Sequence, residues 1–138
     1  MFMFEYSRKV YYYETDKMGV VHHSNYPRWL EEARGAFFDG TAVPYAETEA
    51  LGVMVPVISI NLKFKHFGRY GDTFTVRLSV ANYTGVRFDV VYTVVNQDGE
   101  VLLTGESRHA FIDETYRPIS LARKLPERHK KMLELFPD

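Results

Sequence analysis

The stretch Tyr12–Phe38, YYETDKMGVVHHSNYPRWLEEARGAFF, decides the fold. It opens on the end of an alternating run. Phe4, Tyr6, Arg8, Val10 and Tyr12 alternate with Glu5, Ser7, Lys9 and Tyr11, the period of a strand with one buried face. Glu14-Thr15-Asp16 and Gly19 then supply turn chemistry. Ser24 or Asn25 stands where a helix would be capped, and Pro27 fits its first turn. Tyr26, Trp29, Leu30, Ala33, Phe37 and Gly40 recur at helical spacing. They make one apolar face of a helix running to Phe38–Gly40, with Glu31, Glu32 and Arg34 off its centre. A carboxylate, two imidazoles and a helix N-terminus therefore crowd between Asp16 and Asn25.

Outward from this helix, Tyr45–Leu51 reads as a short second helix or an irregular segment. The rest is strand-rich. Ile58 to His66, Phe74 to Val80, Phe88 to Val94 and Val101 to Ile112 alternate in polarity. GRYGD (Gly68–Asp72), NYTG (Asn82–Gly85) and NQDGE (Asn96–Glu100) supply the turns, and Asp98-Gly99 is a hairpin signal. From Pro126, Met132, Leu133 and Phe136 mark the apolar side of a C-terminal helix with a basic face of Arg128, Lys130 and Lys131. The order is strand, long helix, then four strands in meander. That is an α+β domain with an antiparallel sheet of five strands, spanning residues 1–138 as one unit. An open sheet has free edges, so a homodimer by sheet extension is expected.

Composition narrows the function. The chain has 17 basic and 18 acidic residues, a formal net charge of -1, so bulk nucleic-acid binding and a polybasic membrane patch are not expected. No Cys is present, which removes disulfides, thiolate metal sites and a Cys nucleophile. No apolar run approaches the length of a membrane span, and MFMFEYSRKV meets charge too soon for a signal segment. The expectation is a cytoplasmic protein.

Several quoted residues together resemble one family. Thr15-Asp16, Gly19-Val20-Val21, His23, Tyr26 and Trp29-Leu30-Glu31 follow the order Asp-x-x-Gly-x-Val-x-His-x-x-Tyr and then a helix. Tyr70-Gly71-Asp72 and ESRHAFIDETYRPI (Glu106–Ile119) extend the likeness over nearly the whole chain. The pattern resembles the hot-dog fold and, within it, the 4-hydroxybenzoyl-CoA thioesterase family, most of all its Tol–Pal-associated bacterial members. The resemblance implies a sheet wrapped around the long central helix, an acyl-CoA substrate and no cofactor beyond the coenzyme A of that substrate. It implies a homodimer or homotetramer with active sites at subunit interfaces. It makes Asp16 the catalytic carboxylate, acting as base or nucleophile, and sets a backbone N–H at His23 against the thioester oxygen. His22 stands where relatives carry an aromatic residue, and Glu31 matches a carboxylate that some relatives hold near the acyl group.

The residues suit that chemistry. The first turn of a helix offers free N–H groups and partial positive charge to a developing oxyanion. A carboxylate can take a proton from water or attack the carbonyl. His23 can place a proton near neutral pH. Each group also has a plainer reading: Asp16 as a turn carboxylate, His22 and His23 as helix-start residues, Tyr26 as core, Glu31 as a solvated helix residue. Coenzyme A phosphates call for basic groups, for which Arg69, Arg87 and Arg117 are the candidates, with Lys63 and Lys65 behind them. An acyl-carrier protein is the alternative donor. His66, His109 and His129 are scattered, and no metal site is expected. Rival functions are a hydratase or dehydratase of acyl thioesters and a non-catalytic acyl-thioester-binding protein.

Overall fold

The structure, a computed structural model, describes residues 3–135. One antiparallel sheet holds β1 (Phe4–Lys9), β2 (Val57–Phe64), β3 (Thr73–Ala81), β4 (Arg87–Val95) and β5 (Val101–Ala110). A 3-10 turn, Tyr12–Glu14, follows β1. Helix α1 (Asn25–Asp39) packs against β1 and β3, and α2 (Tyr45–Ala50) follows it. Helices α3 (Leu121–Lys124) and α4 (Pro126–Leu135) come last.

The apolar face of α1 is buried as its spacing requires. Tyr26, Trp29, Leu30, Ala33 and Phe37 meet Phe74, Val76 and Leu78 of β3 and their neighbours in one core. The Trp29 ring stacks on Phe74 with centroids 3.8 Å apart. Each large side chain so buried contributes about 1.5–3 kcal/mol. One local expectation changes. Ser24 sits at the N-cap, but its side chain caps nothing; Asn25 instead sends its amide back to the Glu14 carbonyl, 2.9 Å away. Arg34, off the centre of the apolar face, is buried all the same. It is 6% exposed and donates to the Tyr92 hydroxyl at 2.9 Å, because the sheet curls over that flank of the helix.

The sheet order is β1-β3-β4-β5-β2. The expected four-strand meander therefore holds only for β3, β4 and β5. β2 pairs with β5, from Val57↔His109 to Phe64↔Leu103, and β3 pairs with β1. Residues 65–72 carry the chain from the β2 edge across the sheet to β3, which lies just inside β1. Their GRYGD segment turns, but it is held by the Asp16 loop: Val20 bridges Arg69, and the Val21 N–H donates to the Gly68 carbonyl at 2.7 Å. Alternation in polarity says which face a residue takes and not which strand lies beside it.

The two edges differ. The exposed side of β1 carries Glu5, Ser7 and Lys9, and its two charges discourage further pairing. β2 leaves Ile58 (54% exposed), Ile60 (43%) and Phe64 (53%) uncovered. In α4, Met132 is buried, whereas Leu133 is exposed, since α4 buries only a narrow stripe; Phe136 lies outside the described residues. Arg128 leaves the expected basic face to pair with Glu47 at 2.9 Å. Among the described residues no helix is long and apolar enough to cross a membrane.

Candidate active site

The loop between β1 and α1 is a small hairpin. Thr15 bridges Val21, Gly19 takes φ +78° at the tip, and the Asp16 N–H donates to the Val20 carbonyl at 2.9 Å. A positive φ here suits Gly, which has no Cβ to clash. The Asp16 Oδ1 accepts the Met18 N–H at 2.8 Å, which fixes the carboxylate in an Asx turn. Among the described residues its Oδ2 has no donor.

Facing it is the start of α1. The His22 N–H donates to the Glu14 carbonyl at 2.8 Å, the Ser24 N–H to His22 Nδ1 at 3.2 Å, the Asn25 N–H to the His22 carbonyl at 3.0 Å and the Tyr26 N–H to the His23 carbonyl at 3.3 Å. The His23 N–H is the one in this run with no acceptor among the described residues. It lies at the positive end of the helix. Because His22 Nδ1 accepts from a backbone N–H, the neutral His22 ring carries its proton on Nε2. The two imidazoles lie with centroids 4.4 Å apart.

Asp16, His22, His23 and Tyr26 line one cleft of about 260 Å³, which Phe64, His66 and Phe67 complete from the start of the crossover. Tyr26 is buried, and its hydroxyl accepts the Gly68 N–H at 3.1 Å. Burial pushes its phenol pKa up, and the Gly68 N–H draws it part of the way back.

The other sequence candidates lie elsewhere. Glu31 opens onto a second cavity, about 240 Å³, with Arg34, Tyr45, Glu49, Val57 and His109. Arg69 is exposed on the crossover beside Val20. Arg87 pairs with Ala110, at the end of the sheet away from Phe64, and Arg117 sits in the turn capped by Asp113 near that same end. Phe64, His66 and Phe67 escaped the sequence reading because only the crossover brings them to the loop. So did Glu14, a 2% exposed carboxylate whose local sequence looks like any turn residue. Among the described residues no three His, Asp or Glu side chains converge as a metal would need.

The model of the thioesterase-like superfamily matches residues 10–134. The chain belongs to that superfamily. It is 34% identical over 122 residues to the putative acyl-CoA thioesterase YneP of Bacillus subtilis, covering 88% of each chain. It is 30% identical over 128 residues to the acyl-CoA thioesterase YbgC of Helicobacter pylori, covering 86% of this chain and 94% of that one. A DHNA-CoA thioesterase structure from Staphylococcus aureus superposes with a TM-score of 0.92 at 32% identity, over 97% of this chain and 91% of the other. The five-stranded sheet around α1 is thus the hot-dog fold, and the protein is a thioester hydrolase.

Proposed function

We propose that the protein hydrolyses acyl-CoA thioesters in the cleft between Asp16 and the start of α1. One observation carries the reading: Asp16, whose Oδ2 has no donor, and His23, whose backbone N–H has no acceptor among the described residues, line the same cleft. The names of YneP and YbgC support acyl-CoA as the substrate class. The aromatic walls of Tyr26, Phe64 and Phe67 suit an aromatic or aliphatic acyl group.

The thioester oxygen accepts the His23 N–H, and the helix end stabilises the charge that develops on it. One such donor is worth roughly 3–4 kcal/mol when water is excluded. Asp16 Oδ2 either takes a proton from the attacking water or adds to the carbonyl carbon itself. In the first route water adds to the carbonyl carbon, the C–S bond breaks and coenzyme A leaves as thiolate beside the free acid. In the second the C–S bond breaks to leave a mixed anhydride on Asp16, which water then hydrolyses to the acid and the free carboxylate. In single turnover in ¹⁸O-water, label in Asp16 identifies the nucleophile route with water opening the anhydride at the Asp16 carbonyl, because the general-base route places label only in the product acid.

A second copy completes the site. Two β2 strands pairing antiparallel would set the Val57 end of one copy beside the Phe64 end of the other. The partner's end of the sheet that carries Arg87 and Arg117 would then face this cleft, where coenzyme A phosphates need cations.

The test is thiol release from short, long and aromatic acyl-CoAs, read with a thiol-reactive dye. The chain has no Cys to react with it. Asp16→Asn should lower kcat by at least about 100-fold while the protein stays folded. Binding of acyl-CoA without release of thiol from any substrate would sink the proposal in favour of a non-hydrolytic role.

A further inference from the structure

Glu14 stands two residues before Asp16 and is 2% exposed. Its carboxylate accepts four hydrogen bonds: from Arg8 Nη1 at 2.9 Å, Arg8 Nη2 at 2.7 Å, the Tyr11 N–H at 2.8 Å and Trp29 Nε1 at 2.8 Å. Its carbonyl accepts two more, from the His22 N–H at 2.8 Å and the Asn25 side-chain amide at 2.9 Å. One residue thus ties together β1, the 3-10 turn, the return arm of the loop and two turns of α1. Behind it, Arg8 also holds Glu32, through Nε at 2.7 Å and Nη2 at 3.0 Å, and Tyr6 donates to the same Glu32 at 2.9 Å.

A turn does not need this arrangement. A buried carboxylate with a buried partner is weak evidence of stabilisation, because the cost of desolvation consumes much of the attraction. Its placement has a different consequence. Glu14 and His22 are the bases of the two arms of the Asp16 hairpin, and Thr15↔Val21 is the next rung outward. Fixing that base fixes where Asp16 sits. The Glu14 carbonyl also engages the His22 N–H and leaves the His23 N–H as the open donor.

We propose that Glu14, clamped by Arg8 and Trp29, is the positioning residue that sets the Asp16 carboxylate against the His23 N–H. The inference rests on the hydrolytic role of Asp16 proposed above. A displacement of about 1 Å at such a site can cost 100-fold in rate.

Glu14→Gln keeps the shape. It loses the charge and puts an amide N–H₂ against the Arg8 or Trp29 donors. It is made in the parent chain and in Asp16→Asn, with kcat and KM from thiol release, single-turnover rates for the slow variants, and circular dichroism to confirm folding. In the parent, kcat should fall roughly 10- to 100-fold with KM changed by less than about threefold. In the Asp16→Asn background, Glu14→Gln should cost nothing further, since it acts through Asp16. An equal fractional loss in both backgrounds would show a merely structural role and overturn the inference. So would a folded Glu14→Gln with parental kcat. Should Glu14→Gln fail to fold, Trp29→Phe removes one of the four donors and is read in the same two backgrounds. If Asp16→Asn itself keeps the parental rate, the functional proposal falls and this inference with it. Asp16 dependence with a multiplicative Glu14 loss sinks this inference alone.

Discussion

Tyr26 serves the core and the cleft at once. Its ring meets Trp29 and Phe64, with centroids 5.0 and 5.4 Å away, and its hydroxyl holds the Gly68 N–H. Gly68 admits no larger residue comfortably, since a Cβ there would lie 3.1 Å from Val21 Cγ2 and 3.5 Å from the Tyr26 hydroxyl. Tyr26→Phe keeps the ring and strands a buried N–H. It should cost about 1–3 kcal/mol in urea denaturation. An unchanged midpoint would mean that the Gly68 N–H finds another acceptor.

At the scale of elements, β2 is the strand that asks for a partner. It is an edge, it leaves Ile58, Ile60 and Phe64 exposed, and its one charge is Lys63, where the exposed side of β1 carries both Glu5 and Lys9. Ile60→Lys should convert a dimer into a species near the 16.1 kDa chain mass in analytical ultracentrifugation, with thioesterase activity lost alongside. A parent that already sediments as a single chain would remove the interface from the proposed site. The other side of β2 leans closely on β5. A Cβ at Gly105 would come within 2.5 Å of Leu62 Cδ2 and 2.7 Å of the Asn61 carbonyl. Since the second contact is backbone, Gly105→Ala must displace β2, and it should cost about 1–3 kcal/mol of thermal or chemical stability.

For the whole molecule, the sheet interior holds a polar chain that responds to pH. Arg34 donates to Tyr92, Tyr92 pairs with Ser107 at 2.6 Å, and Ser107 pairs with His109 Nε2 at 2.7 Å. His109 is 1% exposed, and its Nδ1 lies near the Pro56 carbonyl without making a hydrogen bond of good geometry. Burial, and then the Arg34 charge, hold its pKa down to about 4, against 6.5 when free. The unfolded chain therefore binds a proton between those values that the folded chain refuses. The contribution of neutral His109 is fully present well above pH 6.5 and should fall by about 1.4 kcal/mol per pH unit as pH drops from there toward 4. Glu14 acts lower. Burial pushes its pKa up, but the bonds from Arg8, Tyr11 and Trp29 outweigh this and hold it below 4.5, so its contribution is lost only as pH falls beneath that value. His109→Gln should flatten the stability profile between pH 6.5 and 4 and leave the more acid limb in place. A profile unchanged by that substitution would assign the slope to other groups.

The sequence by itself determined the elements and the local chemistry. Period two placed the strands, period 3.6 placed the buried face of α1, and the Asp16–His23 loop with its helix start was legible because turn and helix-start residues are read over a few positions. Only the tertiary structure decided the rest. It sent β2 to the far edge beside β5, because pairing is set by how faces bury against one another and not by chain order. It buried Arg34, which lies off the apolar stripe, because a sheet covers more of a helix than its most apolar line. It brought Phe64 and Phe67 to Asp16, and it turned Glu14 from a turn residue into the knot between β1 and α1. These contacts join residues far apart along the chain, and no short window of sequence contains both ends of them.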